Sequence, residues 1–153
     1  MDIAAKLKDL GWTLPQPAKP IAAYVPAVRT GNLLFISGQL PWRDGKLLAI
    51  GKVPSAVSLQ DAQQAAAQCA VHGLAITGSE LAGDWSKLVR IIRIGVFVQS
   101  DDDFADQAKV ANGASELLVS VLGDPGKHAR AAVGVNALPL NAAVEVDFVF
   151  EVR

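Results

Sequence analysis

The chain is poor in cysteine and in net charge, and both limit what it can do. The single Cys69 excludes an internal disulfide and is typical of a reducing compartment, so we expect a cytoplasmic protein. Lysine and arginine number 14 against 15 aspartates and glutamates, which gives a net charge of −1. This balance supplies no basic stripe of the kind that binds nucleic acids, and we expect no nucleic-acid partner.

Long apolar runs and nucleotide or metal motifs are also missing from the sequence. No apolar stretch reaches the length of a membrane span, so we expect no membrane association. Residues 1–10 carry four charged side chains and therefore do not read as a signal peptide. No nucleotide-binding loop, metal-ligand spacing or serine–histidine–aspartate order is found, and we expect neither a cofactor nor a metal.

Apolar residues, by contrast, are abundant. They make up 51% of the 153 residues, whereas charged residues make up 19%. The length suits one domain with a full core, and we expect a single domain over residues 21–153, preceded by a helix and a proline-rich arm over residues 1–20. The high apolar share predicts surface that is buried between subunits.

The hydrophobic periodicity predicts the element order β-β-α-β-α-β-β. Strands are expected over residues 22–29 and 33–37, a long helix from Leu59 to about Thr77, and a second helix ending near Leu122. Two helices on one face of a mixed sheet make an α+β domain. Residues 88–99 are apolar on both faces and predict a strand buried on both sides.

Four features that could suggest chemistry have simpler interpretations. Cys69 falls in a stripe of small apolar residues and is predicted to be a core residue, and His72 to be a surface or packing residue of the same helix. Asp101–Asp103 are predicted to cap a helix that begins near Phe104. Arg93 interrupts the long apolar strand, and an ion pair at a subunit interface is the better explanation for it.

The functional prediction comes from two short predicted strands near the carboxyl end. Alternation places Arg130, Ala132 and Gly134 on one face of the first strand, and Glu145 and Asp147 on one face of the second. If the strands pair directly, Arg130 lies on the same side as the two carboxylates. That arrangement fits either a site for a small anionic ligand beside small residues or a cross-strand ion pair.

The same residues resemble the signature of the YjgF/RidA family, also called the liver perchloric-acid-soluble protein family. That signature has an arginine on a strand, a Leu-Pro loop like Leu138-Pro139, and a following strand with a glutamate. Three further stretches carry the resemblance in the expected order. These are residues 23–28, 34–41 and 110–115.

The resemblance implies a chorismate-mutase-like fold and homotrimers with ligand clefts between subunits. It also implies an enamine/imine deaminase, which hydrolyses small 2-imino acids to 2-oxo acids and ammonia without a cofactor. In that reaction Arg130 would hold the substrate carboxylate and Glu145 would orient the attacking water. Tyr24, Ser37 and Asn112 would line the cleft.

The chain departs from the family pattern at two positions. Ala132 stands where many deaminases of the family have cysteine, and His128 stands where the family often has proline. His128 lies on the Arg130 face by alternation and is a further candidate for substrate binding. Two other functions stay open: a non-catalytic module that binds a small carboxylate, and an endoribonuclease or translation inhibitor.

Overall fold

The computed structural model describes residues 2–17 and 23–153. Pro20 and Ala22, which the sequence assigns to the connector and the first strand, lie outside them. The helices are α1 (Ile3–Asp9), α2 (Leu59–Glu80) and α3 (Gln107–Leu122). The strands are β1 (Ala27–Thr30), β2 (Leu33–Gln39), β3 (Trp42–Arg43), β4 (Lys46–Leu47), β5 (Leu88–Gln99), β6 (Ala129–Val135) and β7 (Val144–Val152).

Five strands form one mixed sheet in the order β1-β2-β7-β5-β6, and β3 and β4 form a separate hairpin. Only β5 and β6 run parallel among the pairs of this sheet that the structure describes. The long helices α2 and α3 pack against one face of the sheet. This arrangement confirms the predicted α+β fold. None of the described helices is long and apolar enough to cross a membrane.

β7 shows how alternation selects the face that carries the core. Its residues 144, 146, 148 and 150 are fully buried beneath the helices, whereas Glu145 and Asp147 are half-buried on the other face. Gly73 of α2 lets the helix approach closely, because a Cβ at this position would lie 2.7 Å from the Phe148 ring. Cys69 is fully buried one turn earlier, which confirms the predicted core role.

The two carboxyl-terminal strands do not pair directly, so the condition under which Arg130 would lie on the same side as Glu145 and Asp147 is not met. β5 lies between them, and Ile94 pairs with Arg130 on one side and with Phe148 on the other. Paired residues project to the same face of a sheet, so Arg130 lies on the helix-covered face. Glu145 and Asp147 lie on the opposite face. The strand–helix–strand order of β5, α3 and β6 favours a parallel pair, because parallel strands need a crossover connection.

The acidic run after β5 has a different role from the one predicted. α3 begins at Gln107 rather than near Phe104, and the side chain of Asp106 at its N-cap position accepts no capping hydrogen bond from the helix backbone. Asp101 instead accepts hydrogen bonds from the Ser55 backbone N–H and hydroxyl, both at 3.0 Å. The carboxylate therefore fastens the loop before α2 to the end of β5.

The sheet face opposite the helices, here called the open face, is not covered by any described residue of the chain. Val28, Phe35 and Val133 on this face are 55%, 43% and 46% exposed. Residues 88–99 are therefore covered on one side by the helices of their own chain, and burial of the other side, as the apolar run predicts, would require a second subunit. Arg93 on this face donates a hydrogen bond to the Asp147 carboxylate at 3.3 Å, so it already has a partner in its own chain.

The amino-terminal helix α1 belongs to the same core. Its apolar residues Ile3 and Leu7 are fully buried, and the Lys6 ammonium group donates to the Val121 carbonyl of α3 at 2.9 Å. Leu10, which follows the helix, is 45% exposed.

Truncation of Leu7 tests whether α1 unfolds together with the domain. We expect Leu7→Ala to lower the free energy of unfolding in urea by about 2 kcal/mol or more, because it leaves a cavity in a shared core. Leu10→Ala is the matched control and should cost well under half as much. Equal small effects of the two substitutions would mean that α1 contributes little to the core.

Candidate functional site

Arg130 projects from the edge strand β6 towards α3. Its Nη1 donates hydrogen bonds to Asn112 Oδ1 at 2.8 Å and to Ser115 Oγ at 3.0 Å. The two partners lie three residues apart and therefore on the same side of the helix. The structure thus brings Arg130 and Asn112 together. It also adds Ser115, which the sequence analysis did not predict as a site residue. The three-residue spacing from Asn112 on a helix is the sequence feature that could have identified it.

The outer edge of the Arg130 guanidinium is available. Both N–H groups of Nη1 are used by neutral oxygens, whereas Nε and Nη2 donate to none of the residues 2–17 and 23–153. No carboxylate in the described part of the chain forms an ion pair with it. The cross-strand ion pair with Glu145 or Asp147 is therefore not formed. The free edge has the geometry that grips a carboxylate through two parallel hydrogen bonds.

His128 lies beside Arg130 at the entrance of β6. Its Nε2 is 3.0 Å from Ser115 Oγ and its Nδ1 is 2.6 Å from the Gly126 carbonyl oxygen. Burial lowers the pKa of His128, the Gly126 hydrogen bond opposes this, and the Arg130 charge lowers the pKa further. These side chains, with Val119 and Lys127, line a cavity of 250 Å³.

Glu145 belongs to a second group of candidate residues, on the open face. Its side chain lies against Gly38 of β2, where a Cβ would collide with the carboxylate, so the glycine creates the space for it. Burial raises the pKa of Glu145, and the negative charge of Asp147 raises it further.

Ser37 lies on β2, and Tyr24 lies in the segment that precedes β1. The Ser37 hydroxyl donates to the Val25 carbonyl at 2.8 Å, which holds the segment before β1 against β2. Tyr24 in that segment is 60% exposed. Ser37 precedes Gly38, so the segment that carries Tyr24 is joined to the strand on which Glu145 rests.

The predicted site residues therefore form two groups within one chain. Arg130, Asn112 and His128 lie on the side of α3 that faces β6. Glu145, with Ser37 and Tyr24 on the β1–β2 side, lies across the sheet from them. The positions opposite Arg130 and Glu145 on β5 are Ile94 and Phe97, so the two residues are also offset along the strands.

A larger cavity of 630 Å³ lies between the β3–β4 hairpin and α2. None of the residues predicted to form the site lines it. His72 does, and its Nε2 is 2.6 Å from the Trp42 carbonyl oxygen. Burial lowers the pKa of His72, against the opposing effect of this hydrogen bond. The contact confirms a packing role for His72.

No cluster of three or more histidine, cysteine or acidic side chains able to hold a metal occurs among residues 2–17 and 23–153. The chemistry that the two groups offer is therefore that of a guanidinium, a carboxylate with a raised pKa, an imidazole and hydroxyl groups.

Comparison with known proteins decides the family. The family model described as Endoribonuclease L-PSP matches residues 15–152, which is nearly the whole chain. The chain belongs to the YjgF/RidA family. The match begins after α1 and includes β6 and β7, the strands that carry Arg130 and Glu145.

Individual proteins are similar to this chain over most of its length. Protein TCP17 of Trypanosoma cruzi is 42% identical over 152 residues, 99% of this chain and 94% of that protein. The crystal structure of Atu1372 from Agrobacterium tumefaciens, a protein with unknown function, superposes with a TM-score of 0.93 at 48% identity and covers 99% of this chain and 93% of that one. A 2-iminobutanoate/2-iminopropanoate deaminase of Dermatophagoides farinae is 24% identical over 133 residues, 87% of this chain and 88% of that protein.

The raised pKa of Glu145 can be measured directly. In a carboxyl-carbon NMR titration we expect Glu145 to titrate above 4.5, the ordinary value for a glutamate side chain. Asp147→Asn should lower the pKa without restoring the ordinary value, because burial, the larger cause, remains. Glu151→Gln, on the same face but farther along β7, is the control and should leave the Glu145 titration unchanged. A full return to 4.5 in Asp147→Asn would contradict the dominance of burial.

Proposed function

We propose that the chain hydrolyses small 2-imino acids to 2-oxo acids and ammonia, in a cleft between copies of itself and without a cofactor. The observation that carries this proposal is the state of Arg130. Its guanidinium is held by the neutral oxygens of Asn112 and Ser115, while Nε and Nη2 have no partner among the described residues. A substrate carboxylate would bind there through two charge-assisted hydrogen bonds.

Glu145 supplies the second requirement of the reaction, a group that moves a proton. The oxygen of a water molecule would bond to the imine carbon while its proton passes to the Glu145 carboxylate. The same proton would then return to nitrogen, which gives a carbinolamine with a hydroxyl and an amino group on one carbon. Glu145 would next take the hydroxyl proton and pass it to the amino nitrogen while the carbonyl forms and the carbon–nitrogen bond breaks, so that ammonia leaves and the 2-oxo acid remains. A carboxyl group whose pKa is raised serves both steps better than an ordinary one, because it holds and gives up a proton nearer neutral pH.

The cleft must be shared between subunits if Arg130 and Glu145 act on one molecule. Within one chain they lie on opposite faces of the sheet, so neither can reach a small ligand held by the other. We propose a homotrimer, in which the β6 edge of one copy meets the open face of the next. The exposed apolar side chains of that face, Phe35 and Val133 among them, support such burial.

A relative supports the proposed reaction class. The similar deaminase from Dermatophagoides farinae is named for 2-iminobutanoate and 2-iminopropanoate, which are small 2-imino acids. Ala132, two residues after Arg130, contributes no polar group to the cleft, so the proposed reaction depends on Arg130, Glu145 and the backbone and hydroxyl groups near them.

The same Arg130 geometry also supports a module that binds a small carboxylate without turnover. Only a rate measurement separates the two functions, because both need the free guanidinium edge. The description of the family model names RNA cleavage as a third function. A net charge of −1 argues against it, since RNA binding draws most of its affinity from basic side chains on phosphates.

Turnover of imines made in situ tests the proposal. With 2-aminoacrylate as substrate, we expect wild type to speed the release of pyruvate and ammonia. Arg130→Lys keeps the charge but loses the paired donors, and should raise KM about tenfold or more. Glu145→Gln should lower kcat about 100-fold with a smaller change in KM. Arg43→Lys, in the β3–β4 hairpin, is the matched control and should match wild type.

Three results would contradict the proposal. If wild type gives no acceleration while pyruvate still binds, the chain is a binding module. If RNA is cleaved equally by wild type and Arg130→Ala, the nuclease function is favoured. A monomeric mass in solution, measured by light scattering, would contradict the shared cleft.

A further inference from the structure

The hydrogen bonds around His128 fix the position of every proton in the network. The Gly126 carbonyl can only accept, so His128 Nδ1, 2.6 Å away, carries the ring proton. In the neutral ring Nε2 then has a lone pair, and it accepts from the Ser115 hydroxyl at 3.0 Å. The Ser115 oxygen has its lone pairs left for Arg130 Nη1, also at 3.0 Å.

The direction of this chain of hydrogen bonds has a consequence for Arg130. A serine hydroxyl rotates freely unless its proton has an acceptor. Neutral His128 provides that acceptor and so orients the Ser115 lone pairs towards the guanidinium. Arg130 is otherwise exposed on an edge strand and is held only by Ser115 and Asn112 among the described residues.

We propose that His128 is a positioning residue: as a neutral imidazole it locks Ser115, and through Ser115 it holds Arg130 ready for a carboxylate. This inference rests on the proposed function only in taking a small carboxylate as the ligand of Arg130. It assigns His128 a role without ligand contact, which differs from the substrate-binding role suggested by the sequence.

Protonation of His128 would reverse the network. Nε2 would become a donor to Ser115 Oγ, and that oxygen would then face two cations, the imidazolium and the guanidinium. The other charged groups near the ring are Lys127, which pairs with Asp124 at 2.8 Å, and Arg130 itself. Arg93 is directed to the other face, because it lies beside Ala129 in the sheet. Acid should therefore release Arg130 and weaken carboxylate binding.

A role in direct contact gives the opposite dependence on pH. If His128 touched the ligand as a cation, its protonation would add a positive charge next to the carboxylate, and affinity would rise in acid. The sign of the pH dependence therefore separates a positioning residue from a ligand-contacting one.

Binding of pyruvate, followed by NMR titration at about pH 7.5 and about pH 5, tests the proposal. We expect the wild-type Kd to rise about three- to tenfold on acidification, the cost of one weakened hydrogen bond. His128→Gln can extend an oxygen to the position of Nε2, and should bind like wild type at the higher pH with no such rise. His128→Asn can keep a donor near Gly126 but does not reach Ser115, and should bind about three- to tenfold more weakly at both pH values.

Two controls isolate the effect. His72→Gln changes the other histidine of the chain, on α2, and should show the wild-type pH dependence. Pyruvamide lacks the carboxylate charge, so any change in its Kd with pH should be the same in wild type and in His128→Asn. A wild-type Kd that falls in acid, or a His128→Asn variant that binds like wild type, would overturn the proposal.

A measurement without ligand keeps this result separate from the fate of the deaminase proposal. The Nη1 protons of Arg130 should exchange slowly and give resolved NMR signals in wild type and His128→Gln at about pH 7.5, and lose both features in His128→Asn. Equal signals in wild type and His128→Asn would overturn the positioning role whether or not imines are hydrolysed. If the Arg130 Nη1 signals behave as expected but no imine is hydrolysed, only the proposed deaminase activity is overturned.

Discussion

Backbone hydrogen bonds join β5 to β7 on one side and to β6 on the other, and this double pairing determines where each functional side chain lies. Because paired residues project to the same face, Ile94 places Arg130 beneath α3, whereas Phe97 places Glu145 on the open face. A sheet is two-sided, so no rotamer can bring these side chains together in one chain. The need for a neighbouring copy in the proposed reaction follows from this geometry.

The two faces give the two groups different electrostatic environments. Arg130 meets the neutral oxygens of Asn112 and Ser115, which hold the guanidinium without cancelling its charge. Glu145 is half-buried and lies near the Asp147 carboxylate, and both of these favour its protonated form. Arg93 Nη1 forms an ion pair with Asp147 Oδ1 at 3.3 Å, and Arg93 does not approach Glu145 closely enough to form one there. One group is thus suited to bind an anion and the other to exchange a proton.

The YjgF/RidA fold was predictable from the sequence, and so was the composition of the core. The long helix α2 begins at Leu59 as predicted, because Ser58 before it accepts a capping hydrogen bond from the Asp61 N–H at 3.1 Å. β7 buries every second residue as its alternation predicted, and Cys69 lies in the core. The start of α3 was missed, because an acidic run serves equally well as a helix cap and as the tether that Asp101 makes to Ser55.

The sequence by itself determined which residues of each strand share a face, which long helices form, and the family to which the chain belongs, because these depend on local periodicity and on residues close together along the chain. Only the tertiary structure decided that β5 separates Arg130 from Glu145, and that Ser115 links Arg130 to His128. Strand neighbours are set by backbone hydrogen bonds between distant segments, and alternation within a strand is the same whichever partner it has. The identity of the neighbour, and with it the side of the sheet on which the arginine lies, is therefore a property of the folded chain.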